Sequence, residues 1–169
     1  MIVVAIIALL AAIAIPNVLR GRTSANESAA IGNIRALVSS LEMYRATTQC
    51  YPALANYRTD MYPAAPVPAF GPPSFNLALG VAAPGPIVQG YSYAYAAGPV
   101  GCVDAAAGPP VVPCSCTGWS LDVRPQVPNQ TGTRAFFANQ NGTISHVTGG
   151  GPATQTCPTI DQAPGAAGC

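Results

Sequence analysis

Hydrophobic and polar positions divide the chain into three regimes. Met1 to Ile15 is an unbroken run of fifteen apolar residues, and the first charge is Arg20. No polar position recurs within the run, so a helix built from it is apolar on every side. Nine of its residues are Ile, Val or Leu. At roughly 0.3–0.6 kcal/mol each, they favour lipid by about 3–5 kcal/mol. Leaving them in water would cost about 1.5–3 kcal/mol per large side chain. The run therefore needs a membrane, a protein core or copies of itself. As a helix it extends about 22 Å, short of the ~30 Å hydrocarbon core of a bilayer. A secretory signal is the first alternative, given the small-residue site Ala12-Ile13-Ala14, but the sequence has no basic stretch ahead of the run. A buried core helix is the second, but it would need apolar partners all round.

The second regime is amphipathic. Ala30, Ile31, Ile34, Leu37, Val38, Leu41 and Tyr44 recur at spacings of three and four, the stripe of a helix, and Arg35, Ser39, Glu42 and Arg45 fall largely off it. Ser24 and Glu27 have the spacing of a capping box. Pro16 removes a helical donor and Gly21 weakens the next turn. Two readings stay open: one kinked helix from Met1 to about Thr47, or a helix loosened between Pro16 and Ser24.

The third regime begins at Cys50. Eight prolines between Pro52 and Pro86 predict a long wrapped loop without helix, anchored by Tyr51, Tyr57, Tyr62, Phe70 and Phe75. Alternation of period two then predicts strands at Tyr91–Tyr95 and Gly118–Arg124, the latter with Trp119, Leu121 and Val123 on one face. Thr133–Ala138 and Thr143–Val147 flank Asn141-Gly142 and read as a hairpin with an Asn-Gly turn. The expected fold class is α+β: a long N-terminal helix packed on a four-stranded antiparallel head with Pro/Gly-rich loops and disulfides. The expected divisions are 1–48 helix (1–15 its apolar segment), 49–88 Pro-rich loop, 89–148 sheet and 149–169 a Gly/Pro-rich C-terminal loop.

Composition narrows the function. Only 8% of residues are charged and the formal net charge is +1, which argues against nucleic-acid binding by phosphate neutralisation. One His and scattered carboxylates equip the chain poorly for acid–base chemistry, so no enzyme, cofactor or metal is expected. All seven basic residues are arginine, which rules out Schiff-base chemistry through lysine.

The segment Met1-Ile-Val-Val-Ala-Ile-Ile-Ala-Leu-Leu-Ala-Ala-Ile-Ala-Ile-Pro16-Asn17, followed by the amphipathic stripe, resembles the N-terminal helix of bacterial type IV pilins and the related type II secretion pseudopilins. The likeness covers roughly the first 45 residues; beyond them only the layout is similar. The family's mature chain starts several residues earlier, with a methylated Phe and a Glu inside the apolar run. Neither is present, and the expectation is that the true beginning lies upstream; the other reading is a subunit that departs from the family there.

The resemblance implies a filament subunit with three kinds of site. Met1, Ile2, Val3, Val4, Ile6, Ile7, Leu9, Leu10, Ile13, Ile15 and Pro16 would form the assembly helix. Ile31, Ile34, Leu37, Val38, Leu41 and Tyr44 would hold the head against it, and disulfide-stapled loops would face solvent. The implied partners are further copies of the chain, the inner membrane before assembly, an assembly platform, a prepilin peptidase and motor ATPases. The implied location is the inner membrane first and the cell surface afterwards. Arg20 and Arg22 would by the positive-inside rule place their end in the cytoplasm; in the family a cleaved basic leader sets the opposite orientation. A secretion pseudopilin and a membrane-anchored binding module with a Tyr-rich platform are the alternatives. Against the former stands the absence of a calcium loop among Asp60, Asp104, Asp122 and Asp161.

Six cysteines point to an oxidising compartment. Two-residue spacing excludes Cys114–Cys116. The expected pairing is Cys157–Cys169, with Cys50 and Cys102 each taking one of Cys114 and Cys116. The lone Cys-x-Cys suits zinc poorly. His146, on a predicted strand without a carboxylate or Ser partner, is expected to be structural or on the surface. Of the Asn-x-Ser/Thr triplets at Asn26, Asn129 and Asn141, Asn129 is the candidate for glycosylation because it falls on a loop.

Overall fold

A computed structural model of the chain describes residues 1–64, 68–76, 79, 85–99, 102 and 115–149. One helix, α1 (Ile2–Thr48), runs without interruption through Pro16. It is about 70 Å long at 1.5 Å per residue. Of the two readings left open by Pro16 and Gly21, the continuous helix is the one adopted. The helix ends at Gln49, which takes a left-handed conformation (φ 66°) and donates its backbone N–H to the Arg45 carbonyl at 2.8 Å.

The capping box is not formed. Ser24 lies in mid-helix, where its carbonyl accepts the Ser28 hydroxyl at 3.0 Å. Glu27 turns to the head instead. With the helix continuous through Ser24, its amides are bonded within the helix, and a cap has nothing to satisfy.

Five strands form one antiparallel sheet in the order β1 (Ile87–Val88), β2 (Tyr91–Gly98), β3 (Gly118–Pro125), β4 (Arg134–Asn139) and β5 (Ile144–Thr148). The α+β class is as expected, with one strand more. The extra strand, β1, pairs Ile87 with Ser92 and Val88 with Tyr91; two residues are too few to leave an alternating signature. Register places Tyr93, Val123, Phe136 and His146 in one row across the sheet, and Tyr95, Leu121, Ala138 and Ile144 in the next. These rows face α1 and make the core with Ala30, Ile34, Leu37, Leu41 and Tyr44, all buried. Ile31 and Val38 are half-buried against it. On the opposite face Ala135 and Val147 are buried beside Phe137.

The β4–β5 connection is a hairpin, but not a two-residue Asn-Gly turn. The Gly142 amide donates to the Asn139 carbonyl at 2.9 Å, and Gly142 alone in the turn has positive φ, +75°. Glycine serves there because a left-handed residue must close the turn.

The Pro-rich segment is not wholly irregular. A 3₁₀ turn at Leu54–Asn56 and a short helix, α2 (Tyr57–Met61), fit between Pro52 and Pro63, and a second 3₁₀ turn covers Pro73–Phe75. Proline disfavours helix interiors, but a single turn placed between prolines escapes that cost. Aromatic rings fasten this segment to the sheet and helix. Tyr57 packs on Tyr95 and Phe75 on Tyr93, each pair with centroids 4.8 Å apart, and Tyr44 meets Phe70 edge-on at 5.3 Å. The Tyr95 hydroxyl donates to the Pro52 carbonyl at 2.8 Å. The tyrosine row of β2 is thus core. Cys102 and Cys116 form a disulfide across the ends of an excursion between β2 and β3. Cys50 is also disulfide-bonded. Cys114, Cys157 and Cys169, and with them the expected Cys157–Cys169 bridge and C-terminal loop, lie outside the described residues.

Candidate assembly surface

The feature that sets this molecule apart is what α1 leaves uncovered. Every large apolar side chain from Met1 to Leu19 is more than half exposed, Ile6 least, at 53%. That includes Met1, Ile2, Val3, Val4, Ile6, Ile7, Leu9, Leu10, Ile13 and Ile15, and it continues past Pro16 and Asn17 to Val18 and Leu19. The uncovered stretch is therefore longer than the unbroken run of fifteen. From Ile2 to Leu19 it measures about 27 Å, close to the ~30 Å hydrocarbon core of a bilayer. Among the described residues this is the one helix long and apolar enough to cross a membrane, and none of its apolar stretch is buried in the fold. It is compatible with membrane anchoring. Its large apolar side chains are uncovered on all sides.

The transition from bare to covered helix happens at a polar clasp. Glu27 is buried in α1; its Oε1 accepts the Thr133 backbone N–H at 2.7 Å and the Thr133 hydroxyl at 2.6 Å. Its Oε2 lies 3.2 Å from Arg134 Nε. One residue before Glu27, Asn26 Nδ2 donates to the Thr131 carbonyl at 3.0 Å, and six residues after it Asn33 Nδ2 reaches Gln89 Oε1 at 3.0 Å and the Tyr93 hydroxyl at 3.3 Å. The clasp joins residues 106 positions apart in the chain. Sequence reasoning missed it: no local pattern links Glu27 to Thr133. The one signal was a carboxylate close to the apolar stripe, where burial requires a donor.

At the other end of the stripe, the Tyr51 hydroxyl donates to Glu42 Oε1 at 2.7 Å and accepts from Arg45 Nη1 at 3.0 Å, with the guanidinium 5.1 Å from the Tyr51 ring centroid. Burial, and then the Glu42 contact, raise the Tyr51 pKa. Burial pushes the Tyr62 and Tyr93 phenols up to about 12, the Asn33 amide partly offsetting this at Tyr93, and Tyr57 and Tyr91 also move upward. These phenols stay neutral in the fold and serve as packing with a polar handle.

His146 is buried on the core face in the row of Phe136, and its Nδ1 has no hydrogen-bond partner. Asp122 pairs instead with Arg124 on the same strand. Asn129 is exposed in the β3–β4 loop with φ 64°. No group of three His, Cys, Asp or Glu side chains converges on a metal-sized site among the described residues.

No protein-family model, curated protein or solved structure matches this chain. The class its architecture defines is an α+β molecule with a long, bare apolar N-terminal helix and an antiparallel head, a layout compatible with the pilin-like fold.

Proposed function

We propose that the chain is the structural subunit of an extracellular helical filament of the type IV pilus kind. The observation that carries the reading is the bare Met1–Leu19 helix, exposed on every side while the other half of the same helix is covered by its own head. Such a surface has two shelters. Lipid holds it in the inner membrane before assembly, and neighbouring copies hold it in the filament afterwards. Each subunit meets the next through non-identical surfaces, and contacts of that kind that do not close into a ring propagate a fibre. The head, stapled by disulfides, faces solvent at the cell surface. The chain's work is mechanical rather than catalytic. Its partners are further copies of itself and the machinery that processes, extracts and polymerises it.

The test is Ile7→Asp in cells that make the filament. A carboxylate near the middle of the apolar segment costs about 2.5–3.5 kcal/mol in lipid, and in a bundle it faces only apolar neighbours. Fibres seen by electron microscopy should disappear. Normal fibres from this variant would overturn the proposal. Purified protein that is monomeric in detergent and never polymerises, with no fibres on the cells, would overturn it in favour of an anchored binding module. Short periplasmic assemblies without surface fibres would point to a secretion pseudopilin.

A further inference from the structure

Where α1 emerges from its bare stretch, the β3–β4 loop leans over it and encloses a cleft of about 570 Å³. Its walls are Arg20, Arg22 and Asn26 from the helix and Asn129, Gln130 and Thr131 from the loop, among others. The helix wall is fixed to the loop wall by the Asn26–Thr131 hydrogen bond at 3.0 Å, and the loop is braced by the Thr131 hydroxyl on the Val127 carbonyl at 3.1 Å. No Asp or Glu lines the cleft. Arg20 and Arg22 are exposed and make no ion pair among the described residues. The Asn129 and Gln130 side-chain amides likewise make no hydrogen bond there. Two unpaired guanidiniums, free amides and no carboxylate make a site for an oxyanion, and guanidinium forks suit phosphate best.

The height of the cleft selects the source of that phosphate. Arg20 follows directly on the apolar stretch, so with Ile2–Leu19 filling about 27 Å of hydrocarbon the two guanidiniums stand at headgroup level. We propose that the cleft seats the phosphate of an anionic phospholipid headgroup, holding the head in a fixed orientation on the membrane until the subunit is extracted. The inference rests on the reading of Met1–Leu19 as a membrane segment. It also gives Arg20 and Arg22 a partner on their own side of the bilayer.

The experiment uses the full chain in phosphatidylcholine bicelles titrated with phosphatidylglycerol, following the backbone amide resonances of residues 126–133. A saturable shift is expected. Each of Arg20→Gln and Arg22→Gln should weaken the apparent phosphatidylglycerol affinity roughly fivefold, the effect of one basic residue at an anionic surface. Arg35→Gln should leave it unchanged, since that charge stands about 22 Å further along the helix, beyond the screening length. No phosphatidylglycerol dependence, or an equal loss in Arg35→Gln, would overturn the proposal. Inorganic phosphate reproducing the shifts in pure phosphatidylcholine would assign the cleft to a soluble anion and overturn the lipid source. A chain that sediments apart from the bicelles would overturn the membrane reading as well, whereas a chain that inserts without responding overturns the cleft alone.

Discussion

The two halves of α1 share one backbone and differ in everything attached to it. Between Met1 and Leu19 apolar side chains point in all directions and none of the large ones is covered, whereas from Ala30 to Tyr44 one stripe is apolar and the head buries it. Helix propensity does not separate them, because each half mixes good helix formers such as Ala and Leu with poorer ones such as Ile and Val. Angular distribution does. A stripe can be satisfied by one sheet from the same chain, and a cylinder cannot. The bare half is thus left without cover inside the molecule, and the covered half is satisfied by its own head.

The sharpest break between the halves is a pair of opposite failures. Ile7→Asp should abolish filaments while leaving the thermal midpoint of the head unchanged in detergent, since Ile7 touches nothing in the head. Leu37→Ala should do the reverse at the level of stability. Leu37 is 1% exposed within the core, and removing its side chain should cost about 2–5 kcal/mol. Membrane partition of that variant, measured by flotation with vesicles, should stay as in the parent. If Leu37→Ala left urea unfolding unmoved, the helix–sheet core described above would be wrong.

A smaller and graded separation comes from alkali. The stretch from Met1 to Leu19 carries no ionisable side chain, but the head depends on neutral phenols. Tyr62 and Tyr93 are pushed up to about 12 from 10.0 by burial. The unfolded chain therefore gives up its phenolic protons first. Between pH 10 and 12 it binds fewer protons than the folded head, and stability falls as pH rises; below 10 this contribution is fully present. Head circular dichroism and tyrosinate absorbance should change together in that window, with the apolar helix still in the micelle. Free titration of every tyrosine near 10 with the head intact would contradict the burial of these rings.

Much of this layout could be read from residue order. Spacing of three and four placed Ile34, Leu37, Leu41 and Tyr44 on one stripe, and alternation placed Tyr91, Tyr93 and Tyr95 on one face of a strand, because burial on a regular element forces the period of that element onto the sequence. Elements too short to have a period escaped. Ile87–Val88 is a strand only because β2 lies beside it, and Tyr57–Met61 is a turn of helix between prolines whose density argued for none. Ser24 and Glu27 misled for a different reason: a local capping rule fits the spacing, but a continuous helix leaves no cap to fill, and the carboxylate found donors 106 residues away. Nothing local encodes the Asn26–Thr131 contact or the cleft it braces, since both depend on how the β3–β4 loop falls across the helix. The bare stretch was legible as chemistry but underestimated in length. An unbroken run of fifteen ends before Pro16, while exposure continues through Leu19, because Pro16 did not interrupt the helix.

The smallest test falls on the boundary between the halves. Glu27 carries the last tie that α1 makes to β4 before the helix runs bare; its carboxylate takes two hydrogen bonds from Thr133 and lies against Arg134. Hydrogen bonds to a charged acceptor contribute about 1.5–3 kcal/mol. The Arg134 side chain is 43% exposed, so solvent screens its share. Glu27→Ala should therefore cost about 2 kcal/mol in urea unfolding of the full chain in neutral detergent. Glu27→Gln keeps an acceptor for Thr133 without the charge, and should cost about half as much. Because Thr133 continues directly from the loop that roofs the cleft, Glu27→Ala should also speed hydrogen exchange at residues 129–133, while Leu37→Ala, short of global unfolding, should not. Equal exchange in the Glu27→Ala variant and the parent would mean that Asn26 alone fixes the loop. The border between the uncovered and the covered half of α1 would then sit one residue earlier, at the Asn26–Thr131 bond.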